Sequence, residues 1–227
     1  MKFIKKLLSV CLTMTIPFLI ILTAIRLALL PVYVTFEYQT RSFPPDPFGF
    51  TTADRLRWSK YSIDYLIGKV SHEQFSNQIL DDGSPLFNVR ELRHMLDVRI
   101  LTESSLTIWR WLIVLFIISL FYFLFANDFE QFIQSTRRGV IATCLIITFI
   151  LLYVSLNFNL IFTKFHEVFF EGDTWLFYYS DNLIRLFPLR FWRDIFIFIG
   201  VSSVLNGAII YFFPSLIYKQ FKKTARK

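Results

Sequence analysis

The stretch GVIATCLIITFILLYVSL, residues 139–156, runs for 18 residues without a charged side chain. A helix of this length and polarity is long enough to cross the hydrocarbon core of a bilayer. The rest of the chain is similar, because 55% of its 227 residues are hydrophobic and 28 are phenylalanine. The sequence therefore predicts a membrane protein rather than a soluble domain.

Three other apolar runs, residues 7–32, 108–126 and 195–218, are also long enough to span a membrane. The predicted fold class is an all-α integral membrane protein with four transmembrane helices. The first run follows a basic start and has no small-residue cleavage site after it, so we interpret it as an uncleaved helix. Arg26 interrupts this run near its end. Its guanidinium either snorkels to the headgroups or faces a polar cavity inside the bundle.

Basic residues predict the topology. Lysines precede the first run, Arg137 and Arg138 precede the third, and a basic cluster follows the last. The positive-inside rule then places both termini and the 127–138 loop in the cytoplasm. The resulting segments are a first transmembrane helix (1–32), an extracytoplasmic helical insert (33–107), the second and third transmembrane helices (108–157), an extracytoplasmic catalytic loop (158–193), and the fourth transmembrane helix with a basic tail (194–227).

The 33–107 insert is predicted to form a small helical cap. Its proline-rich start, RSFPPDPFGF, favours extended or turn structure. An amphipathic helix follows the Thr-Thr pair before Asp54. DDGSP is a turn, and a second helix begins after Asn88, with Glu91 completing a capping box.

The interval FHEVFFEGDTWLFYYSDNLIRLFP, residues 165–188, cannot be explained by lipid contact alone. It contains one of only three histidines and several carboxylates between two apolar runs. The chain has no nucleophile elbow, HExxH, P-loop or dinucleotide fingerprint. No basic-aromatic pattern in a polar region suggests nucleic-acid binding. The histidines are therefore the main candidates for chemistry.

All three histidines lie in the segments predicted to share the outer face, and two of them have carboxylates placed to assist chemistry. His94 has Glu91 and Asp97 three residues to either side, so a carboxylate can share its helix face. His166 lies at the start of the predicted 158–193 loop, beside Glu167 and before Asp173. The third, His72, lies in a charged stretch and is expected to be solvated.

Such histidines are typical of a general acid/base pair. Helix capping and packing would explain them equally well. A zinc site built from both histidines and one of the neighbouring carboxylates is a further alternative, although paired ligand spacing is missing. We expect no cofactor and no resident metal.

The aromatic residues of the same interval are typical of an interfacial belt. A belt at this depth would hold an acyl chain near the histidines, so a lipid or lipid-modified protein is the expected substrate. The residues predicted to line it are Phe169, Phe170, Trp175 and Arg26.

The segments FHEVFFEGDTWLF, SDNLIRLFPLRFW, FNVRELRHMLDVR and FGFTTADRLRW together resemble the bacterial lipoprotein intramolecular transacylase family, Lit. The resemblance covers nearly the whole chain. One departure is YYSDNLI, where an Asp-Pro-rich turn would be expected, so the conformation of residues 178–181 is left open.

The resemblance implies an enzyme that acts on diacylglyceryl lipoproteins in Gram-positive bacteria. Such enzymes move the sn-2 acyl chain onto the α-amino group of the N-terminal cysteine, giving a lyso-form lipoprotein. It also implies that His94 and His166 are the catalytic residues. Supporting roles are predicted for Glu91, Asp97, Glu167 and Asp173. The competing hypotheses are a metal-dependent membrane hydrolase and a non-catalytic interaction protein.

Overall fold

The chain folds into helices joined by short connections. The computed structural model describes residues 2–41 and 43–224, the last four of these by their backbone alone. This part of the chain has eight helices and no β-strand. The helices are α1 (Lys2–Ala28), α2 (Pro31–Tyr38), α3 (Thr52–Leu66), α4 (His72–Ser76), α5 (Val89–Phe125), α6 (Phe129–Phe169), α7 (Asn182–Leu186) and α8 (Leu189–Thr224).

Four of these helices are long and apolar enough to cross a membrane: Lys2–Ala28, Val89–Phe125, Phe129–Phe169 and Leu189–Gln220. The prediction of an all-α integral membrane protein with four membrane-spanning helices is confirmed.

Helix α1 ends earlier than the predicted first span. The helix stops at Ala28, and α2 begins at Pro31 after Leu30 adopts an extended conformation (φ −82°, ψ 137°). Proline has no N–H to continue the helix, and its ring forces the preceding residue out of the α region. The predicted span 7–32 therefore extends four residues too far.

The sequence predicts two boundaries between separate elements that are absent from the structure, because α5 and α6 continue through them. The helix predicted to begin after Asn88 and the predicted span 108–126 are both parts of α5, which contains neither proline nor glycine. The predicted 127–138 loop is also wrong, since α6 begins at Phe129 and includes Arg137 and Arg138. Phe129 and Phe132 pack in an apolar core, which explains why this segment is helical.

Helix α6 also extends beyond the predicted end of the third span. Its φ/ψ angles break at Asn157 (φ −156°, ψ 79°), and the Asn157 side chain accepts a hydrogen bond from Leu160 N at 3.1 Å. The helix thus restarts with an internal cap. The first part of the predicted 158–193 loop is helical, and His166 lies in the last turns of α6 rather than in a loop.

The chain divides into two compact units. The first contains residues up to 26, residues 106–152 and residues from 197 onward. Its polar contacts include Ser9 Oγ to Ser135 Oγ at 2.6 Å and Trp109 Nε1 to Thr23 Oγ1 at 3.0 Å. Its apolar core consists of Leu12, Ile16, Leu19, Ile20, Phe123, Phe129, Phe132, Ile133 and Val140.

Close helix packing in this unit depends on Gly139. A Cβ atom there would lie 2.5 Å from Ile16 Cβ and 2.9 Å from the Thr13 carbonyl oxygen. We expect Gly139→Ala to reduce stability by about 1–3 kcal/mol, because α1 and α6 would have to separate. Thermal unfolding of the purified protein measures this. Gly207→Ala is the matched control, since its added Cβ would meet Val140 at 3.2 Å. Equal unfolding temperatures for wild type and Gly139→Ala would contradict the prediction.

The second unit contains residues 27–105 and 153–196. Helix α3 begins after the threonine cap that its sequence predicts. Thr51 and Asp54 exchange hydrogen bonds there and so form a full capping box. A buried ion pair joins Arg185 Nη2 to Asp46 Oδ2 at 2.9 Å, and Arg185 also stacks on Phe50. These contacts fix the proline-rich segment against α7.

A buried carboxyl group in the same unit predicts a pH-dependent stability. Burial, and then the nearby Asp194 carboxylate, raise the pKa of Glu37 from 4.5 to about 7. Folding therefore favours protonated Glu37, and this contribution to stability is lost as pH rises from about 4.5 through about 7. We expect Glu37→Gln to flatten the plot of unfolding temperature against pH between these values. The exposed Glu73→Gln serves as control, and unchanged slopes in Glu37→Gln would refute the prediction.

Candidate functional site

His94 lies in the second turn of α5. The helix start is fixed by Asn88, whose Oδ1 accepts from Arg90 N and Glu91 N at 3.0 and 3.1 Å. Glu91 Oε2 accepts in return from Asn88 N at 2.7 Å, completing the predicted capping box. The cap fixes where α5 begins, and His94 follows in its second turn. His94 is 6% exposed.

His166 is held by its own helix. Its Nδ1 is 2.7 Å from the carbonyl oxygen of Phe162, one turn earlier, and the residue is 7% exposed. A carbonyl oxygen only accepts hydrogen bonds, so Nδ1 carries the proton when the ring is neutral. The Nε2 lone pair is then available to accept a proton.

The two imidazole rings face each other. Their centroids are 5.9 Å apart, with 23° between the ring planes. Both rings are buried. The structure brings the histidines of two separate helices together as one pair.

An aromatic cluster of Phe162, Phe170, Trp175 and Phe177 surrounds the pair. Phe170 contacts both histidines, at centroid distances of 4.8 Å to His94 and 5.4 Å to His166. Phe177 lies 5.4 Å from His94, while Phe162 and Trp175 lie 4.2 and 4.9 Å from His166. The cluster excludes water from the ring faces and gives the site an apolar wall.

Glu91 is not hydrogen-bonded to His94. Its carboxylate, in a residue only 1% exposed, accepts from Leu183 N at 2.6 Å as well as from Asn88 N. Within the described residues, His94 Nδ1 is buried and has no hydrogen-bond partner. The predicted orienting hydrogen bond from His94 to Glu91 is therefore missing, and the Glu91 carboxylate instead accepts from two main-chain N–H groups.

For the other predicted carboxylates, no described contact with a histidine supports a direct role. Asp97 is half-buried, and Glu167 is exposed and pairs with Lys164 at 2.6 Å. Asp173 is exposed, with its carbonyl accepting from Leu176 N. The described residues contain no group of three His, Cys, Asp or Glu side chains that could hold a metal ion.

The predicted substrate-lining residues divide into three groups. Phe170 and Trp175 contact the histidines directly. Phe169 is 50% exposed and stacks on Phe165. Arg26 belongs to the first unit, and its role stays a prediction.

The segment 171–188 is held against the start of α5 by several hydrogen bonds. Glu91 binds Leu183 N, and Arg90 Nη1 donates to the Leu176 carbonyl at 3.0 Å. Asn182 Nδ2 donates to the Leu86 carbonyl at 2.6 Å. These bonds fix the segment that carries Trp175 and Phe177.

Residues 178–181 form a turn. Tyr178 N donates to Asp181 Oδ2 at 2.9 Å, and Asp181 N donates to the Tyr178 carbonyl at 3.0 Å. Asp181 then precedes α7. The Asp181 side chain bonds a nearby backbone N–H and so stabilises a turn without the proline that the family resemblance led us to expect.

Sequence reasoning missed two main-chain groups of the site. The Phe162 carbonyl fixes His166. The sequence could have indicated this contact, because the two residues are one helical turn apart. The Leu183 N–H binds Glu91 across more than 90 residues of sequence, and no local pattern indicates it.

Comparisons with known proteins identify relatives of this chain. Residues 10–192 match the family described as lipoprotein intramolecular transacylase Lit. An uncharacterized protein of Aquifex aeolicus (strain VF5) is 29% identical over 219 residues, covering 96% of this chain and 98% of its own.

Solved structures share the fold. The membrane-integral lipoprotein intramolecular transacylase Lit from Bacillus cereus superposes with a TM-score of 0.81, at 20% identity over all of both chains. Two variants of that protein, each with one histidine replaced, match with TM-scores of 0.74 over 98% of this chain at 19% identity.

Proposed function

Because the chain belongs to the lipoprotein intramolecular transacylase (Lit) family, we propose that its buried histidine pair carries out the acyl transfer. The substrate is a diacylglyceryl-cysteine lipoprotein. Its sn-2 acyl chain moves to the α-amino group of the same cysteine, giving the lyso form. The observation that carries the proposal is the pairing of His94 and His166, 5.9 Å apart within an aromatic cluster.

His166 is the general base. Its Nδ1–H is bonded to the Phe162 carbonyl, so Nε2 presents a lone pair to the amine. An α-ammonium has a pKa of roughly 7.7–8.0, so its loss of one proton to water near neutral pH costs little. His166 then takes the second proton from the nitrogen as the nitrogen bonds to the carbonyl carbon. This tautomer favours His166 over His94 as the base.

His94 acts at the ester. A neutral imidazole donates one N–H, and His94 is buried with its Nδ1 unpaired among the described residues. That N–H bonds the oxyanion or the sn-2 oxygen as it leaves. When the C–O bond breaks, the glycerol oxygen takes the proton that His166 received from the amine, and both histidines return to their starting state.

No acyl-enzyme intermediate is needed, because the ester donor and the amine acceptor are parts of one molecule. Holding them together contributes several kcal/mol to lowering the barrier. The apolar wall of Phe170, Trp175 and Phe177 contacts the acyl chain, and membrane lipid surrounds the spans. The reaction requires no cofactor.

The charge pattern supports an orientation for this multi-pass membrane protein. Lys2, Lys5 and Lys6 precede the first span, and a basic tail follows the last. We infer from the positive-inside rule that both termini are cytoplasmic and the histidines face the outside, where mature lipoproteins reside. A cysteine-accessibility assay on single-cysteine variants tests the topology.

Mass spectrometry of a reporter lipoprotein tests the reaction. The chain is expressed with the reporter in a host that lacks the activity, and the N-terminal lipopeptide is fragmented. Intramolecular transfer leaves the mass unchanged but moves one acyl group to nitrogen. A product lighter by one acyl chain would indicate a hydrolase instead, and an unaltered lipopeptide with well-inserted protein would overturn the proposal.

A further inference from the structure

Trp175 brings an unused hydrogen-bond donor to the histidine pair. Its Nε1 is buried and has no hydrogen-bond partner among the described residues, and the same is true of the adjacent Thr174 Oγ1 and of His94 Nδ1. Leaving a buried donor unpaired costs roughly 1–3 kcal/mol. Three such atoms in one region call for an explanation, because most buried polar groups in native proteins are paired.

The Trp175 indole lies beside the His166 ring. Its ring centroid is 4.9 Å from His166, with 35° between the ring planes. An indole N–H points outward in the plane of its ring, so at this tilt it is directed past the face of His166 rather than into it. A carbonyl group whose carbon is attacked beside His166 would lie within its reach.

We propose that Trp175 Nε1–H binds the carbonyl oxygen of the sn-2 ester and stabilises the oxyanion of the tetrahedral intermediate. This rests on the function proposed above. As the neutral amine nitrogen bonds to the carbonyl carbon, it gives one proton to His166, and the C=O electron pair moves to the oxygen. The indole N–H then strengthens its bond to that oxygen. When the carbonyl re-forms, the sn-2 C–O bond breaks, and the glycerol oxygen accepts the proton held by His166.

The division of roles leaves each group one task. His166 carries the proton, Trp175 binds the carbonyl oxygen, and His94 donates to the sn-2 oxygen. An indole N–H does not titrate and never accepts, so it stays a donor at every working pH.

The donor is also fixed in advance of the reaction. The Trp175 segment is held to α5 by Arg90 at the Leu176 carbonyl and by Glu91 at Leu183 N. A prepositioned donor in a site that excludes water stabilises developing charge without reorganisation, and removing one costs about 10²–10³-fold in rate.

Two replacements at this position test the proposal. Trp175→Phe removes the N–H with part of the ring, and the benzothiophene analogue of tryptophan removes the N–H while keeping the bicyclic shape. We expect both to lower kcat by about 10²–10³-fold, with KM changed by less than about threefold. The shape of the pH–rate profile should match wild type, because the lost group does not titrate.

Trp192→Phe is the matched control, since Trp192 packs on Phe162 and Phe187 in the same unit and its indole nitrogen is not among the buried unpaired atoms. Wild-type kcat with the benzothiophene analogue would overturn the proposal. So would a rise in KM that accounts for the whole loss. Both leave the proposed transacylation intact, whereas failure of wild-type protein to transfer the acyl chain would refute that function itself.

Discussion

Replacing His166 with alanine is expected to lower the rate of acyl transfer by about 10²–10⁴-fold, the usual contribution of a well-placed general base. His166 is the histidine whose tautomer is fixed, by the Phe162 carbonyl at 2.7 Å, so no other described ring offers an equally prepared lone pair. Conversion of the reporter lipopeptide, followed over time by mass spectrometry, measures the loss. His94→Ala should also reduce turnover strongly.

The control for this experiment is a substitution at the third histidine. His72 is exposed and bonds Tyr65 through Nδ1, so His72→Ala should keep the wild-type rate. Added imidazole should restore part of the rate of His166→Ala, because the substitution leaves a cavity of the right shape. Full activity in both His94→Ala and His166→Ala would rule out the mechanism.

Glu91→Ala is expected to lower both stability and activity, although Glu91 does not touch His94 through a hydrogen bond. The substitution leaves Leu183 N–H buried without an acceptor, at a cost of about 1–3 kcal/mol. It also removes half of the capping box at Asn88. The 171–188 segment should then loosen, so that Trp175 moves from its position beside His166. A displacement of about 1 Å in such a site can cost 10²-fold in rate.

Thermal unfolding and the lipopeptide assay measure the two effects of Glu91→Ala, and limited proteolysis of residues 171–181 reports the loosening. Glu91→Gln should lie between wild type and alanine, because its amide oxygen can still accept one of the two hydrogen bonds. Glu103→Ala is the matched control on the same helix, since the Glu103 side chain is 48% exposed and its ion pair with Arg99 is of the partly exposed kind that contributes little. Unchanged proteolysis and activity in Glu91→Ala would show that the segment is held by other contacts.

The sequence predicts the class and the local signals of this fold well. Apolar runs identify the four spans, and the capping residues Thr51 and Asn88 identify the starts of α3 and α5, because these features depend only on neighbouring residues. Helix ends are predicted less well. The sequence predicts one helix in the insert and a separate span that begins at residue 108, yet α5 continues from Val89 to Phe125, since tertiary context can override local signals.

The candidate site could be predicted in part. The histidines and the aromatic residues stood out as rare or clustered residue types. The partner of Glu91 did not, because the nearby His94 is the obvious local candidate while Leu183 N lies far away in sequence. Unpaired donors such as Trp175 Nε1 are likewise invisible in a sequence, since burial and the lack of an acceptor are properties of the folded chain.

The hydrogen bond from Leu183 N to Glu91 has a consequence for how freely this protein can vary. The carboxylate recognises the main chain, so this bond places no demand on the side chain at position 183 other than that it not be proline, which has no N–H. Relatives should tolerate many apolar side chains at this position while retaining a carboxylate at position 91. A substitution to proline at 183 should reproduce the defect of Glu91→Ala, with the two partners lying 92 residues apart.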